Sequence, residues 1–315
     1  MRRRTVLLGG AAALGAAGVT AGFRRDLMAA RAAVATGSTV IATRSGDMEY
    51  AEAGSGLPVL MLHGTGGGFD QGLGFVRRLW DGGGFRVIAP SRFGYLRTAF
   101  PADASTAAQA DALVDLLDHL GIDRLPVMGG SAGALPAIEF AIRHPGRCAG
   151  LVAIVPAAFA PGRPPMRPNA VGAAIMRHAL RSDLLFWAGM QLAEDRMIAT
   201  LLATDPALVH AAAPEEQARV RAILRSILPI SARVQGLLND GALAGSPAPQ
   251  ALERITAPTL AISLDDDRFL TADAARHIGA TVPGARVVIY PTGGHVWVGR
   301  DAELTGEIAA FLRGL

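Results

Sequence analysis

The chain has 315 residues, half of them apolar, enough for the core of one large domain or two ordinary ones and too apolar for bulk disorder. It contains no Lys, the formal net charge is only +3, and the arginines are scattered apart from two N-terminal clusters. A nucleic-acid surface would need a basic stripe beside exposed aromatics, so that function class is set aside. The single cysteine, Cys148, precludes an internal disulfide; placed just before the apolar run Leu151 to Val155, it reads as a buried structural thiol.

Residues 1–35 read as a signal or membrane-anchor segment. Arg2-Arg3-Arg4 precedes an uncharged stretch from Thr5 to Phe23, and Arg3-Arg4-Thr5-Val6-Leu7 resembles a twin-arginine export signal. The stretch is long enough to span a bilayer, but its Gly and Ala content makes it weakly hydrophobic. Ala33-Val34-Ala35 is a cleavage candidate that lies far downstream, so an uncleaved anchor stands beside a removed signal. The alternative to both is an N-terminal helix on a cytoplasmic enzyme.

From Ser38 the pattern becomes strand and helix in alternation. Ser38 to Ile41 and Met48 to Ala53 predict two short strands around a Gly46-Asp47 turn. Val59 to Leu62 is a continuous apolar run, typical of a strand buried on both faces, and similar runs recur at 87–89, 125–128, 151–155, 260–262 and 287–289. Leu113, Leu116, Leu117 and Leu120 share a helix face that ends at Gly121, and Leu304, Ile308, Phe311, Leu312 and Leu315 repeat the spacing at the far end. Such alternation implies a mostly parallel sheet with helices on both faces. Residues 161–246 break the rhythm: only helical stretches are found there, between two Pro-rich punctuations. They are expected to form a helical insertion in a core made of 38–160 and 247–315.

Gly129-Gly130-Ser131-Ala132-Gly133 follows a predicted strand and precedes a predicted helix, the setting in which G-x-S-x-G forms a nucleophile elbow. The turn strains Ser131 and exposes its hydroxyl at the start of a helix, while Gly129 and Gly133 remove clashes. A hydroxyl needs a base. Of seven histidines, His119, His144 and His178 lie in helical patterns and His210 and His277 near helix ends, whereas His295 follows the last strand in a Gly-Gly-His loop. The imidazole needs an orienting acid, and Asp265, Asp266 and Asp267 follow the strand at 260–262. Asp267 falls where such an acid sits; Asp265 is its rival. Backbone N–H groups of Ala132 and, in the loop His63 to Gly68, of Thr65 can hold an oxyanion, with Gly64 allowing close approach. A phosphate loop is disfavoured, since no Gly-Lys-Ser/Thr follows.

With these residues in this order, the chain resembles the α/β-hydrolase superfamily over residues 38–315, near the branch of small esterases, cofactor-free haloperoxidase-like enzymes and carbon–carbon bond hydrolases. The resemblance implies an eight-stranded, mostly parallel sheet, a helical cap over the site, an acyl-enzyme on Ser131, and no metal or organic cofactor. Two departures stand out: Ser91-Arg92-Phe93-Gly94 lacks the family's usual Asp, and Pro136 falls early in the helix after the elbow, where it should loosen a turn. The insertion holds Met166, Met176, Phe186, Trp187, Met190 and Met197; most should pack helix on sheet, and any lining the cleft would make it apolar and adaptable. The expected reaction is hydrolysis of a carboxylic ester or lactone of a hydrophobic small molecule. Carbon–carbon cleavage, perhydrolysis and a non-catalytic ligand-binding role are the alternatives, and membrane contact is expected only through the N-terminal segment.

Overall fold

A computed structural model describes residues 2–166 and 180–315, with side chains of the first helix from residue 18 onward. The predicted hairpin and the six apolar runs become strands β1 (Thr39–Thr43), β2 (Gly46–Gly54), β3 (Gly56–Leu62), β4 (Gly84–Pro90), β5 (Leu125–Gly130), β6 (Cys148–Ile154), β7 (Thr259–Leu264) and β8 (Arg286–Tyr290). They form one eight-stranded sheet in the order β1-β2-β4-β3-β5-β6-β7-β8. The first two pairings are antiparallel and the rest parallel. Strands in the middle of such a sheet meet helices on both faces, so their sequences run apolar without alternation. All of β5 and β7 is buried.

The first hairpin turns at Arg44-Ser45 rather than Gly46-Asp47. Gly46, at φ 101°, already opens β2 opposite Thr43, because a residue without Cβ lets the chain reverse early.

Helices α4 (Thr106–His119), α5 (Ala134–Arg143) and α11 (Thr271–Thr281) cover one face, where Leu113, Leu116, Leu117, Ile138, Phe140 and Ile278 are buried together. The Oγ of Ser105 accepts the Ala108 N–H at 3.2 Å and starts α4. Helices α2 (Phe69–Phe75), α3 (Arg77–Asp81) and α12 (Asp301–Arg313) cover the other face, with Leu304, Ile308, Leu312 and Trp297 in the second core. Pro136 does not loosen α5: it is the helix's third residue, among the N–H groups that lack a partner within the helix anyway.

Between β6 and β7 the described residues hold α6 (Asp183–Leu192), α7 (Glu194–Leu201), α8 (Pro206–Ala211), α9 (Pro214–Arg225) and α10 (Val234–Ala244). The two ends of this stretch meet where the Met166 N–H donates to the Gly245 carbonyl at 2.7 Å. Phe186, Trp187, Met190, Ile198, Val220 and Leu224 form a core of their own that reaches Val296 and Val298. Met176 and His178 lie outside the described residues.

The N-terminal helix α1 (Arg2–Ala35) docks on α6. The Phe23 ring meets Trp187 edge-on at 5.7 Å, the Trp187 indole donates to Asp26 at 2.9 Å, and Arg31 pairs with Asp183 at 3.4 Å. Among the described residues no helix is long and apolar enough to cross a membrane.

Candidate active site

The turn after β5, at the sheet edge, is tight and strained. Ser131 has φ 53°, in the left-handed region that costs an L-residue roughly 1–2 kcal/mol. The backbone around it leaves room only for hydrogens: a Cβ on Gly129 would lie 2.4 Å from the Gly133 carbonyl oxygen, and one on Gly133 2.4 Å from that of Leu62. Packing on both sides therefore fixes the turn and holds the strain. A short 3-10 turn, Ser131–Gly133, then leads into α5.

Two further loops end at the same edge. The Ser131 hydroxyl lies 2.9 Å from Nε2 of His295, and Nδ1 of His295 lies 2.8 Å from Oδ2 of Asp267. The Asp267 carboxylate also accepts the Phe269 N–H at 2.8 Å and the Thr271 hydroxyl. Burial pushes this carboxyl up, but the adjacent His295 ring and these donors outweigh it and bring it below the ordinary carboxylate range. An ionised Asp267 keeps the proton on Nδ1 and leaves Nε2 as acceptor for the hydroxyl. The Phe269 ring stands edge-on to the imidazole at 4.9 Å.

The three consecutive acids separate cleanly. Asp265 is exposed and pairs with Arg276. Asp266 accepts the N–H groups of Gly293 and Gly294, at 3.0 and 2.8 Å, and so braces the loop that carries His295. Only Asp267 meets the imidazole.

The loop from His63 to Gly68 passes beside the elbow: a Cβ on Gly64 would stand 3.1 Å from the Ser131 Cβ. Thr65 is exposed at its tip and Ala132 is buried just beyond Ser131. His63 is buried beneath the loop, its Nδ1–H donating to the Gly64 carbonyl at 2.7 Å and its Nε2 accepting the Arg92 N–H at 2.9 Å. Burial, and the Arg92 charge next to it, pull its pKa well below the usual imidazole value. His63 is thus a neutral structural element.

The remaining described histidines lie elsewhere: His144 on Asp111 and His210 on Asp195, at 2.8 and 2.9 Å, His119 against Tyr50 and His277 against Phe159. Burial pushes the Cys148 thiol up to about 12, too high for a nucleophile. The acid missing at position 91 is supplied from β2, where buried Glu49 accepts the Ser91 hydroxyl at 3.1 Å while Ser91 Oγ accepts the Phe69 N–H at 3.0 Å. Phe186, Trp187 and Met190 are buried in the core between α6 and its neighbours, and Met197 packs against it. Apolar cover near the loop comes instead from Ile227 and Leu237, either of which a Cβ on Gly66 would touch.

A family model described as alpha/beta hydrolase fold matches residues 58–298. The chain belongs to the α/β-hydrolase fold family. A 2-hydroxy-6-oxo-6-phenylhexa-2,4-dienoate hydrolase of Burkholderia cepacia is 27% identical over 257 residues, 80% of this chain and 86% of that protein. An α/β-hydrolase fold protein from Nakamurella multipartita has a similar structure, with TM-score 0.69 and 26% identity over 88% of this chain and 99% of the other. A thermophilic esterase from Thermogutta terrifontis is similar in fold, with TM-score 0.63 and 23% identity over 89% of this chain and 99% of that one.

Proposed function

We propose that this α/β-hydrolase cleaves carboxylic esters or lactones of hydrophobic small molecules through an acyl-enzyme on Ser131. The observation that carries the reading is the unbroken relay from the Asp267 carboxylate through both nitrogens of His295 to the Ser131 hydroxyl. In this reading Ser131 Oγ attacks the carbonyl carbon as Nε2 takes its proton, and Asp267 stabilises the imidazolium. The N–H groups of Thr65 and Ala132 receive the negative oxygen of the tetrahedral intermediate. His295 then protonates the departing alcohol, activates water by the same nitrogen, and returns the proton to Ser131 as the acid leaves. Ile227, Leu237 and Phe269 supply the apolar contacts for the substrate, and the insertion of 161–246 acts as its cap.

A second reading keeps the relay and cleaves a carbon–carbon bond beside a ketone. The dienoate hydrolase relative, aligned over most of this chain, favours it.

A fluorophosphonate probe tests the common core of both. Wild-type protein should label and Ser131→Ala should not; a folded wild type that stays unlabelled, or equal labelling of the two, defeats the hydrolase reading. A p-nitrophenyl ester series of rising chain length, run beside a vinylogous 1,5-diketone, separates the two. Turnover of the diketone alone would shift the assignment to carbon–carbon cleavage.

The arginine-led start of the chain supports export, and the contacts of Phe23, Asp26 and Arg31 with α6 support a segment that stays attached afterwards. N-terminal sequencing of protein from exported and cytoplasmic fractions tests this. A mature chain beginning after Ala35 would exclude retention.

A further inference from the structure

The loop from His63 to Gly68 is gripped from beneath at several of its polar groups. Arg92 donates its backbone N–H to His63 Nε2 and its side-chain Nε–H to the His63 carbonyl, each at 2.9 Å. The His63 ring in turn donates to the Gly64 carbonyl. The Gly66 N–H donates to the Tyr95 hydroxyl at 3.2 Å, and Arg233 donates to the Gly67 carbonyl and, at 2.9 Å, to Asp70. Within the described residues the Thr65 N–H has no such partner, and the preceding Gly64 lies against Ser131.

These grips converge on the insertion. Asp240, on α10, accepts Arg92 Nη1 at 2.8 Å and the Tyr95 hydroxyl at 2.6 Å. Arg233 stands immediately before α10. The side chains of Arg92 and Asp240 are only 4% and 2% exposed, and that of Arg233 is fully buried. A buried ion pair adds little net stability over an apolar pair of the same shape, because desolvation offsets most of the attraction. What it does supply is direction: one carboxylate fixes Arg92 and Tyr95, and those two fix the backbone at 63 and 66.

We propose that Tyr95 and Asp240, working with Arg92 and Arg233, are positioning residues that aim the Thr65 N–H at the substrate oxygen, so that α10 of the insertion is a working part of the oxyanion site. This rests on the hydrolase reading above. Without the Tyr95 hydroxyl the Gly66 N–H loses its acceptor, the tip of the loop is released, and the donor no longer meets the tetrahedral oxygen. The ground-state carbonyl, held by apolar contacts, is affected much less. The loss therefore falls on kcat and not on KM.

Tyr95→Phe is the test, since it deletes one oxygen and keeps the ring that packs edge-on against His63 at 4.7 Å. On a p-nitrophenyl ester, kcat should fall by roughly 10- to 100-fold with KM nearly unchanged, on the scale of losing part of one oxyanion donor. Affinity for a trifluoromethyl ketone, which forms an anionic adduct on Ser131, should fall by the same factor, and the pH profile should keep its shape. A merely structural role would lower the melting temperature and leave kcat and the ketone affinity of the folded enzyme alone; that result overturns the proposal. Should Tyr95→Phe not fold, Asp240→Asn gives the same readouts, with activity expected to drop as Tyr95 and Arg92 lose a charged acceptor. Unlabelled, folded wild type with the fluorophosphonate removes the hydrolase reading and this inference together. Labelled wild type with an equally fast Tyr95→Phe removes the inference only.

Discussion

The two halves of the site are held together by different parts of the chain. Asp267 and His295 follow β7 and β8, and their bonds to each other and to Ser131 involve no residue of the insertion. Their braces travel with them: Asp266 precedes Asp267 and holds Gly293 and Gly294, and Thr271 opens the next helix. The loop beside them leaves β3, yet its grips come from Arg92 and Tyr95 after β4 and from Arg233 and Asp240 some 140 or more residues downstream. The insertion also touches both loops, through Arg219 to the Val296 carbonyl at 2.6 Å, Gly299 N–H to Glu216 at 2.7 Å, Arg268 N–H to the Ala203 carbonyl at 3.2 Å and Arg163 to the Phe269 carbonyl at 3.0 Å, but none of these bonds is made to Asp267, His295 or Ser131. The relay's own bonds are all made by residues that follow strands of the sheet. The opposite wall is shared with the insertion, so changes in α10 should alter oxyanion stabilisation while leaving proton transfer intact.

The sharpest way to break the sheet half is Asp267→Asn. The amide can hold the ring only in the wrong tautomer, so kcat should fall by about 10⁴ with the protein still folded. Steady-state ester hydrolysis with a circular-dichroism control measures both. A loss below tenfold would mean that another acid orients His295. Next comes Gly133→Ala, whose Cβ would meet carbonyl oxygens of Leu62 and His63 at 2.4 and 2.5 Å. Backbone on both sides cannot yield, so unfolding stability should drop by about 3 kcal/mol, the upper end of ordinary overpacking. Urea denaturation checks it; an unchanged midpoint would contradict the packing described at the elbow. Asp266→Ala should do less: it removes two hydrogen bonds from Gly293 and Gly294, but at a half-buried carboxylate whose place water can take, so the loss read from urea denaturation should be about 1–2 kcal/mol. Because only the brace is lost, activity should fall far less than in Asp267→Asn.

The same division explains what could be read from the residues alone. The relay half has local signatures: a Gly-flanked Ser between strand and helix, a His after the last strand, an acid after the one before it. Continuous apolar runs marked β3 to β8, whereas β1 and β2 were legible only as short segments around a turn. Asp240, Tyr95 and Arg233 carried no comparable mark, because an ion pair between residues 92 and 240 leaves no period and no spacing in the sequence. The absent acid at position 91 was visible, but its replacement by Glu49 was not, since only the pairing of β2 with β4 brings them together. Likewise Phe186, Trp187 and Met190 were expected mostly to pack helix on sheet, with a place in the cleft left open for some of them. It took the docking of α1 and the packing of α7 to α9 to bury them.

The smallest expected effect sets the two halves against each other by pH. His63 is buried neutral with its pKa well below the usual value, whereas the unfolded chain carries an ordinary imidazole near 6.5. A depressed native pKa means a contribution that is complete above about pH 6.5 and lost below it, as the unfolded state takes up a proton that the native state refuses. The slope approaches roughly 1.4 kcal/mol per pH unit for one proton. Asp267, also depressed, stays a carboxylate through that window, because its own contribution fades only on passing below the ordinary carboxylate range. Acid between pH 6.5 and 5 should therefore weaken the fold at the loop beneath Thr65 while Asp267 stays ionised. Urea midpoints for wild type and His63→Asn at pH 7.5, 6.5 and 5.5 measure this, and the difference between the two proteins should narrow as pH falls, since the variant has no imidazole to protonate at that position. A difference that stays constant across the three pH values would mean that His63 takes up a proton within the folded loop, and the acid sensitivity argued for this wall would be lost.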